Sequence, residues 1–386
     1  MIRIEHLKYL EILLENEAKI GRLRDAACAV VTKAGTEYEF YLGKAQRSTI
    51  YRIFSMTKPF VAAGIYLLLE RGEIALTQKL SEFYPFFRNP TVWTDHKICP
   101  AHREVRLMDL MHMVSGIAYP GDGTYSGEYM QKKISALTQA YEGGNEVDSE
   151  SVLRAFADTP LIFQPGEQWH YGASADILGS VIEKVSRMDL AEFFGRELLE
   201  PLNMKNSGFW VAKDSRPNLA DIYTRNTGAL EKIDRDLERK LKLRDPCKRP
   251  PFLAGGSGLY STLSDYAQFV RMLLGKGEYK GRRVLGKSSI MGMASAALRE
   301  EQRKSIYFDG LEGYSYGNLM RHLTSVPVSG GIGTAGEFGW DGLLGNDFFV
   351  SIEEGVGFIF MQQIAEGADY TLRRKMRQIV YGALER

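Results

Sequence analysis

The sequence predicts an α+β fold: one antiparallel sheet built from both ends of the chain and flanked by helices, with a mainly helical region inserted between them. Three observations carry this. Near the amino terminus, AACAVVTKAGTEYEFYLG has two β-rich runs on either side of Lys33-Ala34-Gly35, the pattern of a hairpin. Near the other end, DFFVSI and VGFIFMQQ form a second pair of runs joined through Glu353-Glu354-Gly355. The chain between them reads as largely helical, so strands far apart in sequence must meet in one sheet. The division this suggests is a discontinuous α/β domain, residues 1–75 and 255–386, enclosing a mainly helical domain, residues 76–254.

Each element has its own justification. Ile4, Leu7, Leu10, Leu13 and Leu14 recur at helical spacing and predict an amphipathic first helix. Charges run through the same stretch (Arg3, Glu5, His6, Lys8, Glu11, Glu15), where a secretory signal needs a clean apolar run. In TIYRIFSMTKPFVAAGIYLLLERGE a β-rich run reaches Ser55, and a long apolar helix opens at Lys58 and stops at Gly72. Pro59 fits the first helical turn, where its missing N–H is not needed. VRLMDLMHMVSG predicts a short helix stopped by Gly116, SADILGSVIEKVSRM a longer one, and YTLRRKMRQIVYG a closing helix. From Lys232 to Asp245 six basic and four acidic residues alternate, the composition of a solvated surface.

Composition narrows the function. The chain has 386 residues, 44% hydrophobic and 25% charged, enough apolar material for a large core. Its 49 basic and 48 acidic residues leave a net charge of +1, which gives no electrostatic reason to bind nucleic acid or anionic lipid. No apolar run is long enough to span a bilayer. Three cysteines (Cys28, Cys99, Cys247) without a C-x-x-C argue against a disulfide framework and a cysteine-rich zinc site. A cytoplasmic protein acting on a small molecule is the expectation, with no metal; an exported form trimmed of its signal would read the same.

Ser55 and Lys58 are the first chemical candidates. A serine hydroxyl is a poor nucleophile until a base removes its proton. At a separation of three residues in a helical turn the Lys58 amine can approach the Ser55 hydroxyl, and burial would lower the lysine pKa enough to make it that base. The free N–H groups of the helix start, including that of Ser55, can stabilise a tetrahedral oxyanion. Among the serines of this chain only Ser55 has a lysine three places on. A second candidate is Tyr171 in QPGEQWHYGASADILG, projected from a loop just before a helix; beside a cationic Lys58 it would shift toward tyrosinate and shuttle protons. His170 beside it reads as a pocket-wall or hydrogen-bonding residue, since no spaced partner marks it as a metal ligand and no G-x-S-x-G elbow supports a Ser-His-Asp triad. The third candidate is GEFGWDGLLGNDFFV, where Gly339 and Gly342 permit close backbone approach to a ligand. Aromatic clusters at Tyr84, Phe86 and Phe87, at Tyr119, Tyr125 and Tyr129, and at Tyr314 and Tyr316 are further candidates to wall an apolar pocket.

In this order the three segments resemble the serine hydrolase family that includes class C β-lactamases, penicillin-binding DD-peptidases and family VIII carboxylesterases, over about residues 20 to 380. Ser55-Met56-Thr57-Lys58 resembles its nucleophile motif, Tyr171 the tyrosine of its second motif, and Trp340-Asp341-Gly342 stands where Lys-Thr-Gly or His-Thr-Gly is usual. LMDLMHMVSGI, EPLNMKNSGF and GGSGLYSTLSDYAQFV resemble further landmarks of the family. The resemblance implies a β-lactamase/transpeptidase-like fold and an acyl-enzyme on Ser55. It also implies acid/base work shared by Lys58 and Tyr171, an oxyanion hole from the backbone N–H groups of Ser55 and Leu343, and no metal or organic cofactor. Trp340, Asp341, Gly342 and His170 would line the substrate site.

Two departures bear on the substrate. Tyr171 is followed by Gly172 and Ala173, so the asparagine amide of the β-lactamase Tyr-x-Asn motif is missing, and YGASADILG is closer to the Tyr-Ser-x-x-x-Asp form of the esterases. Trp340 replaces the cation that holds an anionic group, and family VIII esterases also carry tryptophan there. Asp341 would repel an anion unless strand alternation turns it away. The expectation is an esterase on small neutral esters with weak or no β-lactamase activity. The alternatives are a class C-type β-lactamase, a peptidase acting on D-amino-acid peptides, and a non-catalytic binding relative.

Overall fold

The computed structural model describes residues 2–226, 228–234, 243–365 and 367–385. Its centre is a seven-stranded antiparallel sheet. Strands β1 (Ala26–Val31) and β2 (Thr36–Leu42) come from the amino-terminal end; β3 (Tyr314–Gly317), β4 (Met320–Leu323), β5 (Phe338–Asp341), β6 (Asp347–Ser351) and β7 (Val356–Gln362) come from the carboxy-terminal end. They lie in the order β3-β4-β5-β6-β7-β1-β2. The two ends of the chain meet where β7 pairs with β1, from Ala26 opposite Gln362 to Val31 opposite Gly357. Five helices cover the sheet or position the site: α1 (Ile4–Lys19), α2 (Lys58–Glu70), α3 (Ser174–Ser186), α4 (Leu263–Leu274) and α5 (Tyr370–Gly382).

Both faces of the sheet are covered, and strand alternation sorts the side chains between them. Ala26, Cys28 and Val30 join Phe349, Phe358 and Phe360 in an apolar layer closed by Leu7, Leu10 and Leu14 of α1 and Met376 and Val380 of α5. Ala27, Ala29 and Val31 point the other way, with Phe348, Ile359 and Met361, toward α4 and α2. Phe60 of α2 stacks on Phe269 of α4 at 4.1 Å between ring centroids. Helix α2 is buried on nearly every side, the reason it is apolar all round rather than amphipathic. The apolar cluster around it continues without a break into Leu110, Met111, Ile177, Leu178 and Val181. Residues 76–254 also carry small hairpins, Thr91–Thr94 with Lys97–Pro100 and Tyr223–Asn226 with Ala229–Lys232. Residues 235–242 of the charged stretch lie outside the described residues.

Three elements differ from expectation. The helix at LMDLM ends at Met111, five residues before Gly116. Met113 takes the left-handed conformation (φ 55°), and the Val114 N–H returns to the Asp109 carbonyl at 2.8 Å, so a methionine closes the helix as a glycine usually does. The long helix opens at Lys58 as expected, but the β-rich run stops short of Ser55. The strand Ile50–Arg52 leads into a 3₁₀ turn, Phe54–Thr57, and α2 begins after it at Lys58. The β3–β4 hairpin turns on Asn318-Leu319, both at positive φ, where a sequence signal would be Asn-Gly. Here the Asn318 amide fixes the turn by donating to the Gly292 and Ser295 carbonyls at 2.9 and 3.1 Å.

Candidate active site

The turn carrying Ser55 is held from several directions. The strand before it pairs with Tyr260–Thr262. The Asn346 amide donates to the Arg52 carbonyl at 2.9 Å, the Tyr266 hydroxyl to the Met56 carbonyl at 3.1 Å, and the Leu259 N–H to Thr57 Oγ1 at 3.1 Å. Phe54, immediately before Ser55, has φ 43°, a conformation costly for a bulky side chain and kept here by those anchors. In a 3₁₀ turn residues three apart eclipse one another. Lys58 Nζ accordingly lies 3.1 Å from Ser55 Oγ.

Lys58 is fully buried. Besides Ser55 it meets the Tyr119 hydroxyl at 3.0 Å and the Gly256 carbonyl at 2.8 Å, all neutral groups. Burial lowers its pKa from 10.5 to about 7, against the weaker upward pull of Asp176 and Asp341. The amine is therefore poised between its charged and neutral forms at neutral pH. When neutral, two N–H bonds suffice for Gly256 and Tyr119, and the lone pair is left for the Ser55 proton.

Gly256 is confined by the same arrangement. Its N–H donates to Asp176 Oδ1 at 2.9 Å, while its carbonyl accepts from Lys58. A Cβ at this position would come within 2.7 Å of Asp176 Oδ2 and 2.8 Å of the Tyr119 hydroxyl. The backbone of one residue thus separates a carboxylate from the amine. Burial also raises the Asp176 pKa, which weakens its hold on the lysine proton.

Tyr171 approaches from the other side. Its hydroxyl accepts from Trp340 Nε1 at 3.0 Å and lies near the Ser55 side chain, which draws its pKa down. The Lys58 amine lies 4.7 Å from the Tyr171 ring centroid. The expected shift toward tyrosinate does not occur: burial drives the Tyr171 pKa upward more strongly than Ser55 and Trp340 draw it down. Burial thus keeps Tyr171 a neutral phenol.

Trp340, on β5, is buried with its indole N–H turned to the phenol. Asp341, next along the strand, pairs instead with Arg373 of α5, so its charge is balanced by a guanidinium. Gly342 is close-packed against protein rather than held open for a ligand, since a Cβ there would lie 2.6 Å from the Ile53 carbonyl. That contact sets the third segment against the turn carrying Ser55. Leu343 follows with a 59% exposed side chain. His170 sits at the rim, its Nε2 2.9 Å from Asp122 Oδ2 and its ring 5.2 Å from that of Tyr307. Ser55, Lys58, Tyr171 and Trp340 are therefore brought together, and His170 stands outside their hydrogen bonds. Sequence reasoning did not single out Tyr119 as a contact of the amine, and it missed the Gly256 carbonyl altogether. No spacing marks either.

A cavity of about 380 Å³ opens beside this cluster, bordered by Phe54, Tyr119, Asp176 and Ser257. No helix among the described residues is long and apolar enough to cross a membrane.

A seven-stranded antiparallel sheet covered by helices, with a serine, a buried lysine and a tyrosine gathered beside the strand that carries Trp340, defines the β-lactamase/transpeptidase-like fold. The chain belongs to the Beta-lactamase family, whose profile it matches over residues 13–382. Protein Rv1367c of Mycobacterium tuberculosis is 31% identical over 314 residues, 78% of this chain and 74% of its own length. Esterase EstB of Burkholderia gladioli is 24% identical over 397 residues, covering 96% of this chain and 94% of the relative. Among solved structures, EstCE1, described as a hydrolase with promiscuous acyltransferase activity, superposes with a TM-score of 0.80 at 19% identity over 98% of this chain and 99% of its own.

Proposed function

We propose that this protein is a serine esterase that works through an acyl-enzyme on Ser55, on small esters that carry no charge beside the scissile bond. The observation that carries the reading is the buried Lys58 amine, 3.1 Å from Ser55 Oγ and in contact only with neutral acceptors. The esterase among its relatives supports the substrate class.

Neutral Lys58 takes the Ser55 proton as Oγ attacks the ester carbonyl. The backbone N–H groups of Ser55 and Leu343 receive the negative oxygen. The bond to the leaving alcohol then breaks and the alcohol departs with a proton from the Tyr171 phenol, whose phenolate takes back the proton that the Lys58 ammonium received from Ser55. Water repeats the sequence on the acyl-serine: its oxygen joins the acyl carbon, one proton returns to Ser55, and the acid leaves. The site lies in the cleft between residues 1–75 with 255–386, which supply Ser55, Lys58, Gly256 and Trp340, and residues 76–254, which supply Tyr119, Tyr171 and Asp176.

Trp340 in place of a lysine, and Asp341 already paired with Arg373, leave no free cation at the third segment to hold the carboxylate of a β-lactam. Purified protein should cleave short-chain p-nitrophenyl esters and turn over nitrocefin slowly. A nitrocefin rate well above every ester rate would reverse the substrate assignment. Absence of a fluorophosphonate adduct at Ser55, with no ester turned over, would favour a binding protein instead.

A further inference from the structure

The cavity beside Ser55 has a composition that the reacting groups do not explain. Its wall is apolar (Ile134, Leu137, Val152, Phe156, Phe209, Phe252), yet Arg52, Arg244 and Lys248 also line it. Arg52 stands three residues before Ser55 and is only 9% exposed. Its guanidinium lies against the Tyr260 ring, 5.7 Å from the centroid. Among the described residues no carboxylate pairs with it. Arg244 and Lys248 likewise have no carboxylate partner there, whereas Asp245 between them is engaged by Arg216 at 3.7 Å. The other acid of the cavity, Asp176, accepts from Gly256. A buried guanidinium without a counter-ion is costly unless a ligand supplies one, and its planar fork suits a carboxylate.

Position decides which part of the substrate enters. The cavity is bordered by Phe54 and Tyr119, and neither Tyr171 nor Trp340, which touch each other at 3.0 Å, lines it. With Tyr171 protonating the leaving alcohol, the alcohol lies on its side and the acyl chain is directed into the cavity. We infer that the preferred acyl group is an apolar chain ending in a carboxylate, a half-ester of a dicarboxylic acid, with Arg52 holding the far carboxylate and Arg244 and Lys248 guarding the mouth. This rests on the esterase reading and deepens it: the ester is neutral at its reacting end and anionic at its tip.

The test compares mono-p-nitrophenyl suberate with p-nitrophenyl octanoate. The ratio of their kcat/KM values should favour the suberate by about tenfold at low salt and shrink as salt is added. Arg52→Gln should cut that ratio about tenfold, and because it is a ratio within one preparation, partial misfolding does not mimic the effect. Arg244→Ala combined with Lys248→Ala, both at exposed positions, should reduce it by a smaller factor. A wild-type ratio at or below one, or a ratio unmoved by both variants, overturns the inference. Ester turnover lost in Ser55→Ala together with a ratio of one would sink this inference alone. Should no ester be turned over, binding of monomethyl suberate against methyl octanoate to Ser55→Ala protein decides it, equal affinities counting against it.

Discussion

Lys58 and Arg321 are both buried cations in one apolar interior, and their surroundings give them opposite properties. Arg321 meets Asp347 at 2.6 Å and also donates to the Phe348 carbonyl. Burial alone would lower its pKa, but the Asp347 carboxylate, with Asp341 and Tyr314 behind it, more than reverses this and fixes the charge. Lys58 has no carboxylate in contact, so burial prevails and its pKa falls to about 7. A paired cation is a fixed part of the sheet. A cation given only hydroxyl and carbonyl partners becomes a group that can take and release a proton near neutral pH.

Removing each cation in turn is the most severe test of that contrast. Lys58→Met should lower ester hydrolysis by about a thousandfold or more, as should Ser55→Ala, because the two act as one unit. The same Lys58→Met change should raise stability at neutral pH by roughly 1–3 kcal/mol, since it removes a buried ionisable group held against its desolvation cost. Arg321→Met should do the reverse, costing about 3–5 kcal/mol by leaving Asp347 buried and uncompensated. Thermal or urea unfolding of the two variants checks the opposite signs, and a destabilised Lys58→Met would mean that the amine is held as firmly as Arg321.

The pH dependence sharpens the same point. Below its folded-state pKa Lys58 is an ammonium and cannot accept the serine proton, so kcat/KM should rise with pH through a midpoint near 7. Stability follows a related window. The folded-state pKa is depressed from 10.5, so between about 7 and 10.5 the unfolded chain binds a proton that the folded chain does not, and this group's contribution to stability grows with pH. Lys58→Met should lose both features, read from the rate profile and from unfolding midpoints across that range.

Tyr119→Phe is a milder probe, because it leaves the serine and the amine in place. It removes the hydroxyl 3.0 Å from Lys58, one of three neutral groups that would solvate an ammonium. The rising limb should move to lower pH, and the plateau rate should fall about tenfold. A limb that stays in place would show that desolvation, rather than this hydroxyl, sets the lysine's affinity for its proton.

The sequence revealed the parts of this site that lie within one segment and concealed those that depend on folding. Ser55 and Lys58 are three residues apart in one turn, so their meeting follows from local geometry. The terminal hairpins and the closing helix were legible from alternation and period, since the core needs those patterns. Tyr119 reaches Lys58 from a loop 61 residues away, and Gly256 offers a backbone carbonyl, a group that every residue possesses. The β3–β4 hairpin was hidden because Asn318 and Leu319 hold a left-handed turn by tertiary hydrogen bonds rather than by glycine. Tyr171 was found, but its protonation was misjudged. Proximity to a lysine suggested tyrosinate, whereas burial of both groups keeps the phenol neutral.

That neutral phenol gives the smallest of the expected effects. Trp340→Phe would keep an aromatic wall against Tyr316 and Phe308 while deleting the one indole N–H that points at the Tyr171 hydroxyl. The bond to Trp340 draws the phenol's pKa down, so without it Tyr171 becomes a weaker acid. If the phenol protonates the departing alcohol, esters with poor leaving groups should slow by about three- to tenfold, while p-nitrophenyl esters, whose leaving group needs little protonation, should hardly change. Equal slowing of both would mean that Trp340 positions the ring and does not tune its acidity, and would leave the lysine as the only group here whose proton affinity the fold adjusts for chemistry.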